Sequence, residues 1–214
     1  IGCVLTFNIG TQLVGGFAIY YFSYAIGKPE LFPMFALVSG IAEMLGVFIF
    51  PWLCRYLPRR LTWYIASVFA LGCSVVLLVG SVLAPQSGVL VAVAGALLKF
   101  GGGIANGLGT VMLADVVDYG HYKTGKRSES ILFSVQTMLV KFAGAFAGFF
   151  IGVGLSLIGY VPNAIQSDVT VMGLQVLMIG LPALFLVGSI WVYRRTFRLH
   201  GQLYREVSEF LAHR

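Results

Sequence analysis

Three ionisable residues, Glu43, Lys99 and Lys141, stand in the middle of long apolar runs. A charged side chain at such a position costs ~2.5–3.5 kcal/mol on membrane-insertion scales. Each therefore needs a counter-charge, water or a bound solute. At 1.5 Å per residue, each lies roughly 15 Å from the end of its run, about half the thickness of a bilayer core. Three such groups at one depth on three different helices predict one shared polar cavity. The plainer alternative is a Glu–Lys pair that only holds the bundle together. That pair would leave the second lysine unbalanced, because one carboxylate cannot neutralise two ammonium groups. The surplus cation would face a solute hydroxyl, an anionic group or a carboxylate outside this chain.

Uncharged polar residues repeat the theme. Asn8, Thr11, Gln12 and Gly15 share one helical face. Lys99, Gly102, Gly103, Asn106, Gly107, Gly109 and Thr110 crowd the fourth run. Ser130, Ser134, Thr137, Lys141, Gly144, Gly148 and Gly152 recur every three or four residues, so they too form one face, with Gln136 and Val140 flanking it. Its glycine half permits close helix packing. The serines and threonines have a bland use as well, bonding back to their own helix.

The elements that position these residues follow from length and hydropathy. Of the 214 residues, 58% are hydrophobic and 10% charged, against ~25% charged in soluble domains. That excludes a soluble enzyme, a disordered chain and a nucleic-acid-binding module. Six runs reach the ~20 residues a spanning helix needs: about 3–27, 33–54, 62–84, 89–114, 130–159 and 171–193. They are too long for strands and do not alternate with period two. The expected fold is an all-α membrane protein of six transmembrane helices over 1–198, with a tail at 199–214. Spans one, two, four and five carry the polar faces and form the cavity; three and six are peripheral. The tail reads equally as an amphipathic surface helix or as a solvated end.

Arg55, Arg59 and Arg60 follow the second span, Lys123, Lys126 and Arg127 the fourth, and Arg194, Arg195, Arg198, Arg205 and Arg214 the sixth. These alternate connections lie on one side, while the other holds only Lys28. The positive-inside rule makes both ends of the chain cytoplasmic. The sequence opens on Ile1 without a charged segment ahead of a short apolar core, so no signal peptide starts there, and the chain reads as part of something larger. Cys3, Cys54 and Cys73 show no disulfide or metal-ligand spacing and read as small buried hydrophobes.

The connection after the fourth span holds Asp115, Asp118, Lys123, Lys126, Arg127 and Glu129. A solvated loop accounts for most such runs. The functional reading is a cytoplasmic gate of ion pairs, each worth ~0–1 kcal/mol and so able to open. The histidines, His121, His200 and His213, are unclustered, and no HExxH or CxxC occurs, which disfavours an embedded enzyme.

ADVVDYGHYKTGKRSE at 114–129, SVQTMLVK at 134–141, IGYVPN at 158–163 and GFAIYY at 16–21, with Pro51 and Arg59-Arg60, resemble the glycoside–pentoside–hexuronide:cation symporters over essentially the whole chain. The resemblance implies the C-terminal six-helix half of a major facilitator superfamily fold, with spans equivalent to helices seven to twelve. It implies cation-coupled sugar or glycoside symport by alternating access across the inner (plasma) membrane. Gln136, Thr137, Val140 and Lys141 match the pocket motif of helix eleven. Asn8 and Gln12 would join Gln136 and Thr137 in bonding sugar hydroxyls, and Glu43 and Lys99 would complete the binding set. No cofactor is implied beyond a coupling Na⁺ or H⁺, whose site lies mainly on the N-terminal half. The implied partners are the sugar, that half and lipid, without nucleic acid. The chain departs from the family at Glu43 and Lys99, where neutral residues are expected. An added lysine would suit an anionic sugar; a Glu43–Lys99 pair would be neutral and silent on substrate charge. The alternative function is a structural or regulatory membrane module without transport of its own.

Overall fold

The computed structural model describes residues 2–83, 88–124 and 129–196. Helix α1 runs Gly2–Tyr20 and continues through a π-turn at Tyr21–Ala25. It is followed by α2 at Leu31–Tyr56, α3 at Arg59–Leu83, α4 at Gly88–Thr124, α5 at Glu129–Leu157 and α6 at Asp168–Thr196. All six are long and apolar enough to cross a membrane, and no strand occurs among the described residues. The expected all-α, six-span fold is the one formed. Lipid offers backbone groups no partner, so a long apolar run satisfies them within its own helix.

Local chemistry sets the helix ends. Gly27 takes a positive φ of 73°, and the Lys28 amide donates to the Phe22 carbonyl at 2.9 Å, closing the first span. Gly159 repeats this after α5 with φ 69°, as the Tyr160 amide reaches the Leu155 carbonyl at 3.0 Å. Leu57 is extended because Pro58 follows it. The fourth helix departs from expectation: it passes residue 114 and continues to Thr124. No proline interrupts Ala114–Thr124, so polar residues carry the helix out of the apolar layer without ending it. Arg127 and the 199–214 tail lie outside the described residues, as do the side chains of Lys123 and Glu129.

Helix α2 packs along α4. Helix α1 lies against α6 and α5 and touches α4, while α3 covers α4 and α6. The α1/α3/α6 contact is aromatic: Trp63 stacks on Tyr193 at 5.3 Å and meets Phe7 at 5.7 Å. The α2/α4 contact depends on glycine. A Cβ on Gly103 would collide with the Glu43 carbonyl, and one on Gly46 with that of Phe100. Only glycine permits this backbone approach. Much of α2 and α5 is left uncovered, including Met34, Phe48 and Trp52 on one and Phe142 and Phe149 on the other.

Candidate functional site

Gly103 organises the site. Where it abuts the backbone at Glu43, Lys99 lies one turn before it on α4 and Asn106 nearly one turn after, on the same face. Both reach the Glu43 side chain. Lys99 Nζ donates to Oε2 at 3.3 Å and Asn106 Nδ2 to Oε1 at 3.2 Å. The carboxylate is therefore held from both sides by one helix, and both charges sit where lipid would otherwise exclude them.

A cavity of about 330 Å³ opens beside this pair. Its wall takes Val4, Asn8, Thr11 and Gln12 from α1, Glu43 and Val47 from α2, Lys99, Asn106 and Thr110 from α4, and Gln136, Leu139 and Val140 from α5. Helices α3 and α6 contribute nothing, as the distribution of polar residues foretold. Gln136 Nε2 donates to Thr110 Oγ1 at 2.7 Å, tying α5 to α4 across the cavity. Asn8 donates to its own helix, from Nδ2 to the Val4 carbonyl at 2.9 Å. Gln12 makes no hydrogen bond to any described residue, which leaves its amide for a guest.

Of the eight residues singled out for binding, six line this cavity: Asn8, Gln12, Glu43, Lys99, Gln136 and Val140. Thr137 and Lys141 do not. They line a second, open groove on the adjoining face of α5 with Ser134, Met138, Phe142 and Ala145. The step from 136 to 137, or from 140 to 141, turns the side chain by about 100° around the helix. The shared cavity expected for three ionisable groups thus holds two of them. Lys141 is exposed and has no ion-pair partner among the described residues. Ser134 bonds back to the Ser130 carbonyl at 2.9 Å, the bland use open to it.

Among the expected gate residues, Asp115 is buried and paired with Arg59 across α4 and α3. Both belong to this bundle, so the pair clamps two of its own helices. Asp118 makes no ion pair with a described residue. The Arg59–Asp115 pairing is not found from the sequence, where Arg59 serves for topology and for the family resemblance. Its position at the first turn of α3, with no acidic residue nearby in sequence, was the available signal. Asn106 and Thr110 stood on the polar face but outside the binding set; their spacing from Lys99 already placed them on its stripe.

The family model described as MFS/sugar transport protein matches residues 1–200. The chain is 27% identical over 210 residues to an uncharacterized symporter, YjmB, of Bacillus subtilis, covering 96% of this chain and 44% of that protein. It is 27% identical over 209 residues to the raffinose carrier protein of Pediococcus pentosaceus, covering 95% of this chain and 32% of the other. It is 30% identical over 201 residues to a putative 2,3-dihydroxypropane-1-sulfonate exporter of Escherichia coli, covering 89% and 41%. The chain spans less than half the length of each. Six spanning helices and the family match make it a multi-pass membrane protein. The chain belongs to the MFS/sugar transport protein family.

Proposed function

We propose that this chain is the C-terminal six-helix half of a cation-coupled sugar or glycoside symporter. It works by alternating access in the inner (plasma) membrane, with both chain ends cytoplasmic. The observation that carries the reading is the polar cavity between α1, α2, α4 and α5, with its half-buried ion pair and its amides. A purely structural or regulatory bundle gains nothing from such a void, whose polar walls cost free energy in lipid. Asn8, Gln12, Gln136 and Asn106 supply the donors and acceptors that sugar hydroxyls require, and Val140 packs on the sugar ring.

The exposed face of α5 supports an N-terminal half as partner. Ala-sized groups at Gly144, Gly148 and Gly152 would meet nothing within 4 Å. A stripe of small residues is built for close packing, and Lys141, with no ion-pair partner among the described residues, cannot rest in hydrocarbon at mid-depth. The second half covers this face. Thr137 and Lys141 then stand at the seam, on the side of α5 turned away from the sugar cavity, facing the Na⁺ or H⁺ held mainly by the other half. Rocking of one half against the other exposes the seam to each side in turn. Asp118, Lys123, Arg127 and Glu129 complete the cytoplasmic gate, with Asp115 anchored by Arg59.

The test is sugar uptake by the full transporter carrying Lys141→Ala. Uptake should fall at least tenfold and lose its dependence on the cation gradient. Unimpaired, gradient-driven uptake would refute the assigned role.

A further inference from the structure

Glu43 is the more exposed member of its ion pair: its side chain keeps 32% of its accessible surface, against 15% for Lys99. A carboxylate offers about four acceptor positions. Lys99 and Asn106 occupy one on each oxygen, so each oxygen retains capacity for a further hydroxyl donor. The other polar side chains on the wall, Asn8, Thr11, Gln12, Thr110 and Gln136, are uncharged. Lys141, the cation that would tip the balance, faces the other groove. The cavity wall built by this chain therefore sums to zero charge, yet the pair is not silent on substrate charge as its neutrality alone suggested, because the carboxylate lone pairs rather than the ammonium group are the accessible side.

We propose that Glu43 is the charge filter of this wall: paired with Lys99, it selects uncharged, hydroxyl-rich glycosides over uronides and sulfonates. The inference rests on the sugar-transport reading and specifies its substrate class. An anionic sugar that approaches Lys99 must either displace Glu43 or lie beside a like charge in a partly dehydrated site. Discrimination arises from that repulsion as much as from the bonds offered to the correct guest. Removing the carboxylate charge leaves Lys99 unbalanced and turns repulsion into attraction. Removing the lysine charge does the reverse.

The experiment is equilibrium binding to the purified full-length transporter. Matched probes differ only at C6: p-nitrophenyl β-D-glucoside against the β-D-glucuronide, and the corresponding galactoside against the galacturonide. Wild type should favour the glycosides. Glu43→Gln should raise the uronide-to-glycoside affinity ratio by about tenfold or more, the scale of one unbalanced charge a few ångströms away. Lys99→Gln should lower the ratio, and the double variant should return it towards wild type. A ratio within each variant cancels losses of folded protein, and the opposite sign at Lys99 separates charge from general damage. Wild-type preference for the uronides, or a ratio unmoved by Glu43→Gln, overturns the filter and leaves sugar transport standing. Binding of no glycoside in either set overturns the transport reading and the filter with it.

Discussion

An ammonium group halfway through a bilayer depends on the carboxylate beside it. Lys99→Met would leave Glu43 with Asn106 as its one partner among the described residues, and Glu43→Gln would leave Lys99 unbalanced. Each single change should destabilise the detergent-solubilised protein by about 1–3 kcal/mol, the cost of a partly buried polar group left unsatisfied. The Glu43→Gln, Lys99→Met double variant should lose less than the sum, because removing both charges avoids the orphan. Thermal unfolding of the four proteins checks this. The polar residues themselves were legible in the sequence, since charge inside an apolar run needs a reason. Which lysine Glu43 would choose was not legible. The choice depends on the close approach at Gly103 and on the rotation of α5 about its axis, neither of which residue type encodes.

At the level of helices, glycine decides how near two backbones come. Gly103→Ala would drive a methyl into the Glu43 carbonyl, separate α4 from α2 and cost about 1–3 kcal/mol, as overpacking does. Gly72→Ala on α3 is the contrasting case, for its new methyl would meet nothing within 4 Å. It should be neutral or stabilise by up to about 1 kcal/mol, the helix-propensity difference. Melting temperatures of the two variants should therefore move apart. The Arg59–Asp115 pair fixes α3 to α4 in the same sense. Asp115→Asn or Arg59→Gln should lower stability, and the charge-swapped Arg59→Asp, Asp115→Arg variant should recover part of the loss. Hydropathy found all six spans, yet it closed the fourth too early, because a helix that leaves lipid keeps its hydrogen bonds while its side chains turn polar.

For the molecule as a whole, the uncovered faces matter as much as the core. The Ser130–Gly152 stripe is exposed among the described residues, as the proposed adjoining half requires. Gly148→Leu should lower uptake by the full transporter several-fold while membrane insertion stays normal, because the larger side chain holds the halves apart. Uptake assays with parallel quantification of membrane protein check this. The periodicity that places the stripe was visible in the sequence, whereas the division between an inward and an outward face of α5 required a structure. That division gives α5 a double duty. Gln136 grips Thr110 on the inner side while Thr137 and Lys141, on neighbouring rungs, meet whatever moves outside. The helix leans mainly on α1 and only lightly on α4, so it is a loosely pinned partition between two rooms. A push received in one is transmitted to the other past the Gln136–Thr110 bond, and stiffening that pin should slow turnover more than it weakens the hold on sugar.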